Sequence, residues 1–221
     1  MLKLNKKPEG RNTMAKKIII TIARQYGSGG RVIGERVAAA LNIPIYDKVL
    51  ITEVASKGNL NEEVIKKADE SAASSLLYTL AMGSNTLGAA MHFGYKMPLN
   101  DKLFLLQSEV IREYAKEGSG IFIGRCADYV LRDEPNLLRL FIYGDLDHRQ
   151  ARVLARHPEL KSAQVIDAIT KTDKRRSTYY NFYTGNRWGA YDNYDMAINS
   201  STLGIEGTAE LICEFAKKMM K

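Results

Sequence analysis

The chain has 221 residues, 45% of them hydrophobic and 26% charged, with a net charge of +7 and two cysteines, Cys126 and Cys213. That length accommodates a single α/β domain with a real core, and the composition is ordinary for a soluble globular protein. No apolar run approaches the roughly 18 residues of a membrane span, the N-terminus lacks the apolar centre of a signal peptide, and two cysteines do not make a disulfide framework, so no membrane partner and a reducing cytoplasmic setting are expected.

The charge is unevenly placed. Lys3, Lys6, Lys7, Arg11, Lys16 and Lys17 against Glu9 hold five of the net charges within the first 17 residues. A stretch of this kind reads as a solvated, disordered basic tail over residues 1–16, ahead of one domain over 17–221. The domain carries little net charge and no recognised nucleic-acid motif, so no nucleic-acid partner is expected.

In chain order, Ile18–Ala23 is a β-branched run of the sort that forms a strand buried on both faces. A glycine-rich turn follows, and then a helix in which Gly34, Val37, Ala38 and Leu41 share one face. Ile43–Asp47, "IPIYD", predicts a second strand ending in a carboxylate. Asn61–Glu70 reads as an exposed helix, and Ser71–Asn100 as an adaptable lobe rich in Ser, Gly, Ala and Met. Leu103, Leu106, Gln107, Val110, Ile111 and Tyr114 fall on one face of a helix, which "EGSG" (Glu117–Gly120) ends through a left-handed glycine. Ile121–Leu131, "IFIGRCADYVL", predicts a strand, a glycine and a helix start, and Leu137–Gly144 a fourth strand. Asp147–Tyr180 reads as helical and basic, Tyr183–Asp195 as an aromatic loop, Met196–Ser200 as a last strand, and Ile205–Met220 as an amphipathic helix.

Strands alternating with helices imply a parallel sheet joined by right-handed crossovers, with ligands beyond the carboxyl ends of the strands. Those ends carry "RQYGSGGR", Asp47, "GRCAD" and "GDLDHR". In the first, Tyr26, Gly27, Ser28, Gly29, Gly30 and Val32 present main-chain amides at the start of a helix, where its dipole favours an anion. The pattern G-x-x-x-x-G-K-[ST] is not met: with Gly29 as its second glycine, Arg24 stands at the first, Gly30 at the lysine and Arg31 at the hydroxyl. Arg24 and Arg31 each supply a forked cation suited to phosphate oxygens. The alternative reading is a turn that merely permits close packing.

Arg149, Arg152 and Arg156 form a stripe on one helix, and Arg175 and Arg176 follow with Asp173 one turn before Arg176. Arg156 reads as solvated, while the other four are candidates to contact a ligand. Gln107 either bonds a base or satisfies a buried backbone group. His92, His148 and His157 show no metal-ligand spacing with the cysteines, so no protein-held metal is expected.

Laid without gaps against cytidylate kinases, Ile20–Asp47 resembles their opening strand, phosphate loop, helix and "Y-x-D" strand end, and "IGRCAD" resembles their "GRD" segment. The fuller pattern, "ARQYGSGGR…IPIYD…GRCADYVL…INSS…GIEGTAELI", is similar to the cytidylate kinase-like family from Ile18 to the C-terminus. The resemblance implies a P-loop kinase fold with a five-stranded parallel sheet flanked by helices, an acceptor lobe near 48–100 and a lid near 145–191. It implies transfer of a phosphoryl group from ATP, with Mg²⁺, to CMP, dCMP or a similar small phosphorylated acceptor. In that reading Arg31, Arg149, Arg152, Arg175 and Arg176 neutralise the transferring group, and Asp47, Gln107, Arg125 and Asp128 hold the acceptor. Cys126 stands where cytidylate kinases have an aspartate, with Asp128 two residues on, so the acceptor stays open. A nucleotide-binding regulatory module without transfer activity and a kinase for a non-nucleotide acceptor stand as alternatives, and oligomeric state is not indicated.

Overall fold

The computed structural model describes residues 16–47, 53, 57–58 and 98–221. The basic tail up to residue 15, the expected helix at Asn61–Glu70 and nearly all of the expected acceptor lobe lie outside these residues.

Five strands form one parallel sheet in the order β2-β3-β1-β4-β5. They are β1 (Ile19–Arg24), β2 (Ile45–Tyr46), β3 (Gly120–Ile123), β4 (Leu137–Tyr143) and β5 (Met196–Asn199). β1 lies at the centre, with Ile19 opposite both Gly120 and Leu137 and Arg24 opposite Ile142. Ile18, just before it, and its own Ile19, Ile20 and Ile22 are each at most 1% exposed, which is why the run is continuous rather than alternating.

Alternation along the strand still sorts the core into two layers. Ile18, Ile20 and Ile22 pack with Ile33 and Val37 of α1 (Gly30–Leu41) and with Ile212 and Ala216 of the C-terminal helix. Ile19 and Phe122 point the other way, onto Leu103, Val110 and Ile111 of α2 (Leu99–Glu117) and Ala127 and Val130 of the short α3 (Ala127–Val130).

The basic helical segment is two helices, α4 (Leu146–Arg156) and α5 (Ser162–Thr184), rather than one. Pro158 accounts for the break, because a proline drives the residue before it out of the helical region, and His157 sits at φ −133°, ψ 67°. A 3₁₀ turn, Tyr191–Asn193, leads into β5. The last helix, α6 (Ser200–Met219), starts earlier than its apolar periodicity indicates. Asn199 caps it by accepting from Ser201 N at 2.9 Å, and a non-helical Gly204 separates this first turn from the regular helix. Gly118, which ends α2, is extended (φ 163°) and not left-handed. No described helix is long and apolar enough to cross a membrane.

Candidate functional site

β1 leaves the sheet through Gln25, which ties the turn to β4: its amide donates to Ile142 O at 3.0 Å and its side-chain oxygen accepts from Gly144 N at 3.2 Å. The turn then needs two left-handed residues, Gly27 (φ 78°) and Gly29 (φ 82°), conformations that glycine adopts without penalty. Space demands glycine too. A Cβ on Gly27 would meet Arg149 O at 2.8 Å, and one on Gly29 would land on Ile205 Cδ1.

The turn's carbonyls are held from outside. Tyr26 O accepts from Arg149 Nε at 2.7 Å, Gly27 O and Ser28 O accept from Arg152 Nη1 at 3.4 and 3.2 Å, and Ser28 O also accepts from Ser200 Oγ at 2.6 Å. Ser28 is fully buried, and its hydroxyl donates to Gln25 O at 2.9 Å. With the carbonyls engaged, the polar groups left to meet a ligand are amides. Those opening α1 have no intrahelical acceptor, and the helix dipole favours an anion there. Three amides are already engaged: Tyr26 N donates to Asp173 Oδ1 of α5 at 2.7 Å, while the other carboxylate oxygen is paired with Arg149, and within the turn Ser28 N donates to Gln25 O and Gly30 N to Ser28 Oγ, both at 3.4 Å.

Beside the turn, a cavity of about 240 Å³ lies between the ends of β1 and β3 and the face of α5. Arg24, Arg125, Arg175 and Arg176 line it together with Asp128 and Tyr179. Arg125 reaches it from a left-handed stretch, Gly124, Arg125 and Cys126 having φ of 71°, 58° and 54°. Arg176 Nη1 donates to Arg24 O at 2.8 Å and its guanidinium lies 5.7 Å from the centre of the Tyr26 ring. α5 thus binds the chain on either side of Gln25, with Arg176 on Arg24 O and Asp173 on Tyr26 N.

The cavity is short of negative charge. Burial, then the nearby Arg176, pushes the Arg24 pKa down to about 9; Arg125 and Arg31 add to this and Asp47 opposes it. Burial also lowers Arg125 and Arg176. Guanidinium groups stay protonated in practice, so these depressions measure an electrostatic cost that a bound anion would relieve. Asp128 offsets little of it, because burial raises its carboxyl above the ordinary carboxylate range and its Oδ2 accepts from Tyr180 OH at 2.7 Å.

Arg24, Arg125, Arg175, Arg176 and Asp128 are therefore brought to one cavity. Gln107, buried on α2, adjoins it by accepting from Tyr179 OH at 3.1 Å. Arg149 and Arg152 clasp the glycine turn's carbonyls. Arg31 is half-exposed and pairs with Glu35 at 3.1 Å and Asp47 at 3.2 Å, so these two expected ligand residues hold each other at the end of β2. Asp173 reaches off its own helix, to Arg149 of α4 and the amide of Tyr26. Ser200 lies in the "INSS" of the family pattern, but nothing in the sequence marks its hydroxyl as a tie to the glycine turn. Among the described residues no group of three or more His, Cys, Asp or Glu is placed to hold a metal ion.

Residues 19–202 match the Cytidylate kinase-like family. An uncharacterised protein from Eubacterium ventriosum is 27% identical, with a TM-score of 0.67 over 90% of this chain and 98% of that one. Shikimate kinase from Bacteroides thetaiotaomicron, 12% identical, aligns over 90% of this chain and 98% of its own with a TM-score of 0.51, a likeness of fold alone. No curated protein sequence matches the chain.

Proposed function

The chain belongs to the cytidylate kinase-like family, and from that premise we propose that it transfers a phosphoryl group from ATP to a small phosphorylated acceptor, with CMP and dCMP the first candidates. One observation carries the reading: guanidinium groups from β1, the turn after β3 and α5 converge on one cavity beside a glycine turn that offers amides. Phosphoryl transfer asks a protein chiefly to position two phosphates and neutralise the charge between them, and a fixed set of arginines does both without reorganising during the reaction.

The residues fit a polyphosphate. First-turn amides of α1 and the Arg24 guanidinium bind its oxygens, and Arg175 and Arg176 on α5 close over the transferring group as the lid. On the acceptor side, Arg125 takes the acceptor phosphate from the end of β3. Asp47 and Arg31 frame the entry from β2, and Gln107 and Asp128 set which acceptor is admitted. Bound ATP supplies the phosphoryl donor. The described residues do not fit a protein-held Mg²⁺: Ser28 spends its hydroxyl on Gln25 O, and Gly30 and Arg31 stand at the lysine and hydroxyl positions. No step is assigned to the metal.

Incubating the protein with ATP, Mg²⁺ and a panel of nucleoside monophosphates tests the proposal. CDP or dCDP formation is the expected outcome. Tight ATP binding with no transfer to any phosphorylated acceptor overturns it in favour of a binding module.

A further inference from the structure

We infer that Arg24 is the phosphate-contacting cation of the glycine turn, taking over from β1 the role that a lysine at position 30 would fill from α1. The inference rests on the phosphoryl-transfer reading and concerns which residue meets the donor's phosphates.

Both ends of the Arg24 side chain occupy space that glycines leave open. A Cβ on Gly30, the lysine position, would lie 2.7 Å from Arg24 Cβ and 3.2 Å from its Cγ, with Ile142 Cβ at 3.3 Å behind. The volume in which a side chain from position 30 would begin is therefore filled by the Arg24 stem. At the far end, a Cβ on Gly124 would land on Arg24 Nη1, with Cζ at 3.2 Å. Two glycines on two different elements accommodate one arginine, whose head lines the cavity between the turn and β3.

The other cations near the turn are engaged elsewhere. Arg31 is paired with Glu35 and Asp47, Arg149 with Tyr26 O and Asp173, and Arg152 with the carbonyls of Gly27, Ser28 and Ser200. Arg176 spends one nitrogen on Arg24 O, which fixes the backbone from which the Arg24 side chain departs. Among the described residues no hydrogen-bond acceptor is found for the Arg24 guanidinium itself. Among the described residues the charges acting most strongly on it are Arg176, Asp47, Arg125 and Arg31, three cations against one carboxylate. A forked donor held half-buried in a cation-rich site, with no acceptor among the described residues, is poised for an oxyanion.

Calorimetric titration with inorganic tripolyphosphate and with ATP tests this, alongside thermal melting of each variant. Arg24→Gln weakens both ligands by roughly ten- to a hundredfold, the range for losing a charge-assisted hydrogen bond, and Arg24→Lys retains part of the binding. The decisive protein is the double variant Arg24→Gly/Gly30→Lys, in which the cation moves to the lysine position and both contacts with the residue 24 stem, at Cβ and Cγ, are gone. It binds tripolyphosphate more tightly than Arg24→Gly alone, and it melts above Gly30→Lys alone, which must force two side chains into one space. A wild type that binds tripolyphosphate together with an Arg24→Gln that binds as tightly overturns the inference. So does a double variant that folds yet binds no better than Arg24→Gly. A wild type that binds neither ligand removes the phosphoryl-transfer reading itself, and the inference with it.

Discussion

β1 and β3 are neighbours in the sheet and leave it at the same end, yet they solve the same geometric problem differently. Each turn needs left-handed backbone. After β1 those positions are Gly27 and Gly29; after β3 they are Gly124, Arg125 and Cys126. A side chain in the left-handed region costs about 1–2 kcal/mol, so the second turn stores strain that the first avoids. The difference follows from what each turn presents. The first is approached closely from outside, by the α4 main chain at Gly27 and by Ile205 at Gly29, and it has only its backbone to offer. The second must deliver a side chain, Arg125, to the cavity. Cys126 comes with it as a buried residue whose thiol burial pushes far up in pKa, which leaves it unreactive.

The contrast is broken most severely at Gly27. In Gly27→Ala the new methyl has a left-handed backbone and faces a main-chain oxygen 2.8 Å away, and α4 cannot yield locally. A loss of about 2–5 kcal/mol is expected in urea unfolding. A cost under about 1 kcal/mol would mean that α4 is not locked onto the turn. Gly124→Ala has the same backbone penalty, but its methyl meets the mobile end of Arg24 rather than backbone. Its stability loss is therefore smaller, about 1–3 kcal/mol. Its signature is displacement of the Arg24 head, with tripolyphosphate binding falling by roughly tenfold or more. A variant that loses stability but binds normally would separate Gly124 from the ligand site.

Much of this was legible because it is local. The β-branched run of β1, the glycines after it and the apolar stripe of α2 are consequences of period and residue type, and the family pattern joins them in order. Harder to read were contacts between residues far apart in the chain. Nothing near Asp173 announces that its carboxylate meets the amide of Tyr26, because the two are brought together only when α5 crosses back over the turn. Arg149 and Arg152 show the same limit: helical spacing put them on one stripe, but only the fold turns that stripe onto the carbonyls of Tyr26, Gly27 and Ser28. The break at Pro158 was readable in principle, since proline acts on its predecessor, but the flanking helical composition masked it.

Asp173 offers a finer test of the first turn. Its carboxylate occupies the amide of Tyr26 and neutralises Arg149, and both effects compete with a phosphate oxygen for the same turn. Asp173→Asn is expected to tighten tripolyphosphate by roughly two- to tenfold while lowering stability by about 1–2 kcal/mol. Weaker binding would instead assign Asp173 to organising Arg149 in the ligand-bound state.

The smallest effect is expected at the second turn, where Asp128 opens α3 beneath the cavity. Burial raises its carboxyl above the ordinary 3.8, although Tyr180 OH and two amides pull it back. The folded protein thus holds this proton more tightly than the unfolded chain, and stability from this group is lost as pH rises through the elevated value. Below about pH 4 both states are protonated and the penalty vanishes. Asp128→Asn removes the charge and keeps an oxygen for Tyr180 OH, so at pH 7–8 it should melt a few degrees above wild type, with the gap closing as the buffer is acidified towards pH 4. A gap that stays constant with pH would mean that Asp128 is a charge-compensated anion at neutral pH. The arginine cavity would then be partly neutralised before any phosphate arrives, and the electrostatic case for an anion beside the strained turn would weaken accordingly.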